Sequence, residues 1–415
     1  MTERIDGGPR SVVVVGAGIV GLSTAWFLQE RGIEVTVVDR EGVAAGASWG
    51  NAGWISPALT IPLNQPSVLR YGLKSLLSPS APLHIPLRAN FGLWRFLTKF
   101  ALNCRRSRTE HVINANLPLN EEALEAYDVL IDNGVDAPRL DAAITALFEN
   151  DAQAGELRRE LQDMRAAGQH IEVTELSGPQ LRERVPLAAA SATVGLAVEH
   201  QRYVDPGQFV TALGRAVTER GAQIRELRVT DITHYRGQIA VHAFGGEMLV
   251  ADAVVLATGA WLNDLTHRWL RTDVRAGRGY SFTVPVDRPI PGPIYLPTAR
   301  VACTPYQDGL RVAGTMEFRG PDDPLDSARV RAVAASAGRM LDGVRWDQMR
   351  DVWVGPRPVT ADGLPLIGQL DDGVFVAGGH GMWGLAHGPV TGRLLAEQVS
   401  TGKQPDALRP FEPYR

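Results

Sequence analysis

The chain has 415 residues, more than one ordinary hydrophobic core accommodates, so two domains are expected. A composition of 45% hydrophobic and 21% charged residues is that of a soluble globular protein, and a net charge of −4 gives no reason to expect nucleic acid as a partner. The two cysteines fit no metal-ligand spacing, and no signal peptide or spanning segment is visible. A cytoplasmic protein without a metal site is therefore predicted.

The first predicted elements are a strand, a glycine turn, a helix and a second strand, which together open a βαβ unit. Residues 11–15 (SVVVV) and 34–39 (EVTVVD) are the strands, and the helix between them stops at Gly32. Apolar periodicity, turns and capping residues predict the later elements. The helices are expected at 91–104, 120–133, 151–167, 206–220 and 389–399, the strands at 280–286, 294–304, 309–318 and 374–377, and a β-meander over 222–257.

The glycine turn has the sequence Gly16-Ala17-Gly18-Ile19-Val20-Gly21, which is a dinucleotide-binding pattern in its expected context. Gly16 permits the tight turn, Gly18 lets the backbone approach a pyrophosphate, and Gly21 lets helix and strand pack closely. The helix N-terminus stabilises the negative charge. Asp39 ends the second strand, where its carboxylate can accept hydrogen bonds from ribose hydroxyls, and Arg40 beside it is a further expected contact.

Two other segments favour FAD over NAD as the dinucleotide. Residues 253–261 (AVVLATGAW) form a buried strand that ends in Thr258-Gly259, a second nucleotide contact typical of FAD proteins of the glutathione-reductase type. Residues 46–53 (GASWGNAG) form a loop of small residues whose N–H groups can approach a flavin. The contacts expected from the loop and the meander are Ser48, Asn51, Ala52, Gly53 and Val229.

The C-terminal glycine segment, residues 378–384 (GGHGMWG), precedes a predicted helix whose N-terminus can face the flavin N1–C2=O edge. The expected contacts are Gly379, Gly381, Met382, Trp383 and Gly384. His380 has two interpretations, a proton-relay or charge-stabilising group, or a hydrogen-bonded structural histidine.

A Gly-x-Arg-Pro motif places Arg357 near the redox cofactor. Its planar guanidinium suits a substrate carboxylate, but a structural arginine paired with an acid explains the motif equally well from spacing alone.

Together these segments resemble the FAD-dependent D-amino acid oxidase superfamily, and within it bacterial D-amino acid dehydrogenases, including glyphosate-oxidoreductase-like and D-hydroxyproline dehydrogenase-like members. The resemblance is carried by GASWGNAGWISP, GRGYSFTVPV, GLRVAGTMEF and WVGPRPVTADGLPLIG. It implies oxidation of the C–N bond of a D-amino acid, or of a secondary or cyclic amino acid, by hydride transfer to flavin N5. The imine then hydrolyses to a 2-oxo acid and ammonia, unless it is cyclic. Carried over to this chain, the resemblance makes Arg357 the carboxylate clamp, Tyr280 the active-site tyrosine and Arg311 a basic residue facing the site.

Departures from the family pattern imply noncovalent FAD, because no Cys or His stands at the attachment positions of sarcosine oxidases or dimethylglycine-dehydrogenase-like relatives. Arg311 stands where sarcosine oxidases have an oxygen-activating lysine, which favours a dehydrogenase using a quinone or another electron acceptor. Two alternatives stay open: a glycine- or sarcosine-type oxidase that uses O2, and a flavin electron-carrier subunit.

The segment from residue 42 to residue 109 contains eight Lys or Arg and no Asp or Glu. With the apolar residues Phe91, Leu93, Trp94, Phe96, Leu97 and Phe100 it predicts one of two structures. It is either a basic amphipathic helix that docks on the inner face of the cell membrane, or a helix packed on its own domain with a solvated basic face.

The predicted fold is α/β, with an FAD-binding Rossmann-like domain of the glutathione-reductase type and an interleaved substrate domain built on an antiparallel sheet. The FAD-binding domain is expected to comprise residues 1–60, 170–270 and 350–415, and the substrate domain residues 61–169 and 271–349. The oligomeric state is left open.

Overall fold

A computed structural model of the chain describes residues 7–75, 83–84 and 90–415. Its helices are α1 Ile19–Glu30, α2 Pro66–Ser75, α3 Phe91–Asn103, α4 Arg106–Asp132, α5 Asp151–Ala166, α6 Gly178–Arg184, α7 Pro206–Glu219, α8 Leu262–Thr266, α9 Ser327–Ala337 and α10 Gly384–Thr401.

The strands are β1 Ser11–Val15, β2 Glu34–Asp39, β3 Trp54–Ile55, β4 Leu83–His84, β5 Leu140–Asp141, β6 Ile144–Phe148, β7 Val173–Ser177, β8 Val194–Val198, β9 Arg202–Tyr203, β10 Gln223–Glu226, β11 Val229–Tyr235, β12 Gln238–Ala243, β13 Met248–Ala251, β14 Ala253–Leu256, β15 Val274–Pro285, β16 Ile294–Leu296, β17 Val301–Tyr306, β18 Gly309–Phe318, β19 Arg350–Thr360, β20 Leu366–Asp371 and β21 Val374–Gly378.

A six-stranded sheet has the order β10-β2-β1-β14-β21-β20 and is parallel except at β20. Strand β1 is apolar from Val12 to Val15, as expected of a strand with both faces covered. Val12 and Val14 belong to the core shared with helices α1, α7 and α10, whereas Val13 and Val15 belong to the core shared with the β11–β13 meander. The carboxyl ends of β1, β2, β14 and β21 therefore meet at one edge of this sheet.

A larger sheet has the order β19-β15-β18-β17-β16-β6-β8-β7, with β4 paired to β18. One face of its central strands packs on helix α9 around Phe282, Val284 and Val312. Alternation along β15 turns the neighbouring Ser281 to the other face, towards the loop that contains Gly50. This second face borders the carboxyl edge of the six-stranded sheet.

Four predicted elements differ from the structure. The helix expected at 120–133 is the second half of the longer α4, which contains Pro118. The strand expected at 294–304 is divided into β16 and β17 by a turn in which Arg300 has a positive φ of 52°. Strand β10 lies outside the three-stranded meander, because it pairs in parallel with β2 in the six-stranded sheet.

The last helix, α10, begins at Gly384, five residues before the predicted start at Pro389. A proline inside a helix leaves the carbonyl four residues earlier without its N–H partner. Here that carbonyl belongs to Leu385, and the Tyr127 hydroxyl on α4 donates to it at 2.7 Å. A side chain distant in sequence thus takes the place of the missing donor, and the helix continues through Pro389.

The division into an FAD-binding and a substrate domain remains a prediction, and several strands pair across its bounds. Strands β7 and β8 pair with each other and β8 with β6 in the larger sheet, although residues 170–270 were assigned to the FAD-binding domain. Strand β19 pairs with β15 in the same larger sheet, although residues 350–415 were assigned to that domain.

Candidate active site

A cleft lies at the carboxyl edge of the six-stranded sheet. Val15, Val38, Ala257 and Ala377, which lie at or just beyond the ends of four neighbouring strands, line it. Ligands of open α/β sheets bind at this edge, because the connections leave the strands there and expose backbone groups.

The turn after β1 has room for glycine alone at two positions. Gly16 has φ 116°, and a Cβ there would lie 2.4 Å from the Ala257 carbonyl oxygen. A Cβ on Gly21 would lie 2.0 Å from the Gly16 carbonyl oxygen. Gly18 is the N-cap of α1, and a Cβ there would come within 3.3 Å of the Ser48 hydroxyl. The glycines thus bring β14 and α1 close to the turn and leave the helix N-terminus open to the cleft.

Asp39 lines the cleft and also holds the turn in place. One carboxylate oxygen accepts the Ala17 N–H at 2.8 Å, and the other accepts those of Glu41 and Gly42 at 2.9 and 3.2 Å. The Ser48 hydroxyl accepts the Ile19 N–H at 3.1 Å, so the loop of small residues is joined to the first turn of α1.

Arg40, Trp261 and Asp322 form a cluster at the cleft that the sequence analysis did not assemble. The Arg40 guanidinium lies 4.0 Å from the centre of the Trp261 ring, and both residues line the cleft. Asp322 accepts hydrogen bonds from Arg40 at 2.7 Å and from the Trp261 indole at 3.1 Å. Trp261 lies two residues beyond the Ala-Thr-Gly segment, so the sequence could have indicated its position near the cleft. Asp322 lies on a loop after β18, and no sequence pattern indicated its place in the cluster.

Arg357 projects from β19 into the cleft. One guanidinium N–H donates to the Thr315 carbonyl at 2.8 Å, and burial lowers the pKa of Arg357 to about 10. The guanidinium lies over Gly279, where a Cβ would come within 2.2 Å of its carbon. In the part of the chain that the structure describes, no carboxylate forms an ion pair with Arg357, so the interpretation as a structural arginine held by an acid has no support there.

His380 lines the cleft, but its ring is held by a hydrogen bond of 3.0 Å to the Thr391 hydroxyl. Burial lowers the pKa of His380 to about 4 and that of His387 to about 3. Both imidazoles are therefore neutral near pH 7. The proposed charge-stabilising role of His380 does not fit a neutral ring, and the structural interpretation fits the observed bond.

Tyr280 does not reach the cleft, contrary to the prediction. It points to the opposite face of the larger sheet, into the core that contains Phe282 and Val284. Its hydroxyl donates to Glu317 at 2.6 Å, and the Arg278 guanidinium lies 5.8 Å from its ring. The alternation of side chains along β15 decides this direction.

Arg311 is buried beneath the loop 49–52 and does not line the cleft, which also differs from the prediction. Side chains from three neighbouring strands donate to three carbonyl groups of this loop: Arg311 at 3.1 Å, Ser281 at 2.8 Å and Thr304 at 2.6 Å. The Arg311 guanidinium also lies 3.7 Å from the centre of the Tyr306 ring. Its visible role is to fasten the loop to the larger sheet.

The structure brings most of the predicted contacts to one cleft. Its lining includes Gly16, Gly18, Ile19, Val20, Asp39, Arg40, Ser48, Asn51, Val229, Thr258, Gly259, Arg357, His380, Gly381, Met382 and Gly384. The predicted residues outside this lining are Ala17, Gly21, Ala52, Gly53, Gly379, Trp383, Tyr280 and Arg311. Several of these serve close packing: a Cβ on Gly53 would lie 2.2 Å from the Val204 carbonyl oxygen, and one on Gly379 would lie 2.8 Å from Thr360.

The cleft fits an elongated, anionic dinucleotide. Residues at the N-termini of both α1 and α10 line it, so the positive ends of two helix dipoles face the same space. The Thr258 hydroxyl is buried beside it and has no hydrogen-bond partner among the described residues. A buried hydroxyl without a partner costs free energy, which a ligand oxygen or nitrogen would recover.

The family model of the FAD dependent oxidoreductases (DAO) matches residues 11–398, so the chain belongs to this family. The protein is therefore an FAD-dependent oxidoreductase.

Solved structures with the same fold include glycine oxidase from Geobacillus kaustophilus (TM-score 0.75, 22% identity, 98% of each chain covered). L-proline dehydrogenase from P. horikoshii has a TM-score of 0.73 at 17% identity, with 98% of each chain covered. Iminodiacetate oxidase from Chelativorans sp. BNC1 has a TM-score of 0.72 at 19% identity, covering 97% of this chain and 99% of that chain. These similarities confirm the predicted α/β fold.

Among the residues that the structure describes, no helix is both long enough and apolar enough to cross a membrane.

Proposed function

We propose that this protein is a dehydrogenase of D-amino acids, or of secondary amino acids such as D-hydroxyproline, with Arg357 as the carboxylate clamp and noncovalent FAD as the oxidant. When bound, FAD supplies the two-electron acceptor for oxidation of the substrate C–N bond. The observation that carries the proposal is the Arg357 guanidinium, which faces the cleft with one backbone hydrogen bond and no ion pair to an acid among the described residues.

The clamp suits an amino acid for three reasons. The pKa of Arg357, about 10, keeps the guanidinium charged at pH 7. Burial strengthens its attraction for a carboxylate, because the local dielectric constant is below that of water. The single bond to Thr315 holds the planar group and leaves further N–H donors for a bidentate carboxylate. A substrate held in this way has its C–N bond at a defined place, so positioning supplies much of the rate.

The noncovalent attachment of FAD rests on the position of the cysteines. Cys104 and Cys303 are both buried and unpaired, and neither lines the cleft. The histidine that does line it, His380, is engaged with Thr391.

A second candidate is an oxidase of glycine or an N-substituted glycine that uses O2. Its support is the shared fold with glycine oxidase and iminodiacetate oxidase, whose names state those substrates. The third alternative, an electron-carrier subunit, does not account for Arg357, since a carrier has no use for a carboxylate clamp.

Anaerobic reduction of the bound flavin by a panel of compounds tests the proposal. The panel contains D- and L-amino acids, D-hydroxyproline, glycine, sarcosine, glyphosate and a simple amine without a carboxylate, and the readout is the rate at which the oxidised-flavin absorbance disappears. We expect D-amino acids or D-hydroxyproline to reduce the flavin fastest. Fast reduction by glycine or sarcosine with rapid peroxide formation in air supports the second candidate, and no reduction by any amino acid contradicts both.

A further inference from the structure

Helix α3 carries large, exposed apolar side chains on its outer face. On the inner face, Leu93 and Phe96 are buried, and Phe96 lies 5.8 Å from Phe318 between ring centres. On the opposite side, Phe91 is 84% exposed, Trp94 39% and Leu102 56%. These three are named here the apolar stripe of α3.

The apolar stripe runs along one side of the helix. Positions 91, 94 and 102 lie on that side, with the polar Thr98 between Trp94 and Leu102, and the neighbouring Arg95 pairs with Asp273 at 2.8 Å. From Phe91 to Leu102 the stripe is about 16 Å long. Single exposed apolar residues are common on proteins, but three large ones in a row mark an interaction surface.

The charge around the stripe is positive. Lys99 lies on the exposed side of α3, and Arg105, Arg106 and Arg108 follow at its C-terminal end, all exposed. Arg106 pairs with Glu110 at 2.9 Å. Within the described residues, no ion pair joins Lys99, Arg105 or Arg108 to an acid. The segment from residue 42 to residue 109 supplies no Asp or Glu of its own.

We propose that the apolar stripe of α3 docks on the surface of an anionic lipid bilayer. Exposed apolar side chains insert at the boundary between headgroups and acyl chains, where tryptophan is favoured, and neighbouring Lys and Arg attract anionic headgroups. The stripe and the unpaired cations provide both interactions on one short segment. The core beneath α3 anchors the helix, because Leu93 and Phe96 share it with Val359 and Ala361.

The same core links the docking face to the cleft. Val359 lies two residues beyond Arg357 on strand β19, so α3 packs directly on the strand that carries the proposed clamp. Docking through α3 therefore holds the cleft near the bilayer, where an acceptor of the quinone class dissolves. The docking itself does not depend on the proposed substrate.

The test is sedimentation of the purified holoenzyme with vesicles. We expect the protein to bind vesicles of phosphatidylglycerol and phosphatidylcholine in equal parts, to bind pure phosphatidylcholine much less, and to dissociate as salt is raised. The combined variant Phe91→Ala, Trp94→Ala and Leu102→Ala should lose at least about tenfold in vesicle affinity. A matched control removes three exposed apolar residues of the meander, Phe244→Ala, Met248→Ala and Val250→Ala, which are 77%, 43% and 37% exposed.

Absence of wild-type binding to the anionic vesicles overturns the proposal, and so does equal loss in the two combined variants. FAD content and circular dichroism verify that each variant folds. If the α3 variant does not fold, brominated lipid in the same vesicles provides the second measurement. Bromine should quench part of the tryptophan fluorescence of the wild type, and it should quench a smaller fraction of the fluorescence of Trp94→Phe. Equal quenching in the two proteins overturns the proposal. The competing outcome is self-association through the apolar stripe, which sedimentation without lipid detects. In that case the combined α3 variant differs from the wild type in oligomeric state, and adding vesicles does not change the sedimentation of the wild type.

Discussion

Replacing Arg357 by alanine should abolish efficient amino-acid oxidation while leaving FAD bound. Among the residues that the structure describes, the guanidinium makes one hydrogen bond, to a backbone carbonyl of β18, and the Arg357 side chain lines the cleft. The variant therefore leaves a substrate carboxylate in a partly desolvated site without its counter-ion. The glycine segments that are expected to contact FAD are not altered by this change.

The size of the effect follows from the burial. The pKa of Arg357 is lowered to about 10 by desolvation alone, so the surroundings of the guanidinium are less polar than water. Removing one partner of a buried charge pair costs about 3–5 kcal/mol, which is a loss of roughly 150- to 5000-fold in kcat/KM. Arg357→Lys keeps the charge without the planar fork and should recover only part of this loss.

Anaerobic stopped-flow measurement of flavin reduction gives both the substrate concentration at half-saturation and the limiting rate of reduction. We expect both to worsen for amino acids, because a substrate without its clamp also loses alignment, whereas a simple amine should be reduced at similar rates by the wild type and by Arg357→Ala. Arg345→Ala, an exposed arginine paired with Asp287 at 2.9 Å, is the matched control. Wild-type reduction by the amino acid in Arg357→Ala with full FAD content would refute the clamp.

Three further predictions concern the clamp, the buried histidines and the cofactor. Gly279→Ala should raise KM for the amino acid without loss of FAD, because the new Cβ would lie 2.2 Å from the Arg357 guanidinium carbon. Gly155→Ala on helix α5 is the control. An unchanged KM in Gly279→Ala contradicts the steric argument. The unfolded chain binds protons at His380 and His387 below about pH 6.5, whereas burial holds their folded pKa values at about 4 and about 3. Stability to urea should therefore fall as the pH drops from 6.5 towards 4, by about 1.4 kcal/mol per unit for each group that remains unprotonated in the folded state. The fall should be shallower in His387→Gln, and identical slopes would contradict the assignment. Acid precipitation should release all the FAD, since both cysteines lie outside the cleft lining, and flavin that stays with the washed polypeptide would show a covalent bond.

The sequence by itself predicted the cofactor and the segments that line the cleft at the carboxyl edge of the six-stranded sheet. A strand buried on both faces, a turn that requires glycine and a helix that starts at once are local features, because each depends on backbone conformation and on immediate neighbours. Gly16 illustrates this, since its φ of 116° excludes most other residues. Arg357 was singled out by the Gly-x-Arg-Pro motif, which left two interpretations open, and the family resemblance implied its role as the clamp.

Only the tertiary structure decided where several side chains point and where one helix begins. Tyr280 and Ser281 are neighbours on β15, yet one enters the core and the other holds the loop 49–52, because alternation and register assign them to opposite faces. The start of α10 at Gly384 depends on the Tyr127 hydroxyl, which occupies the carbonyl that Pro389 leaves without a donor. Tyr127 is 258 residues away from Leu385 in sequence, so no local pattern could reveal the bond. Side-chain direction and hydrogen-bond partners are properties of contacts between distant segments, and they exist only once the chain has folded.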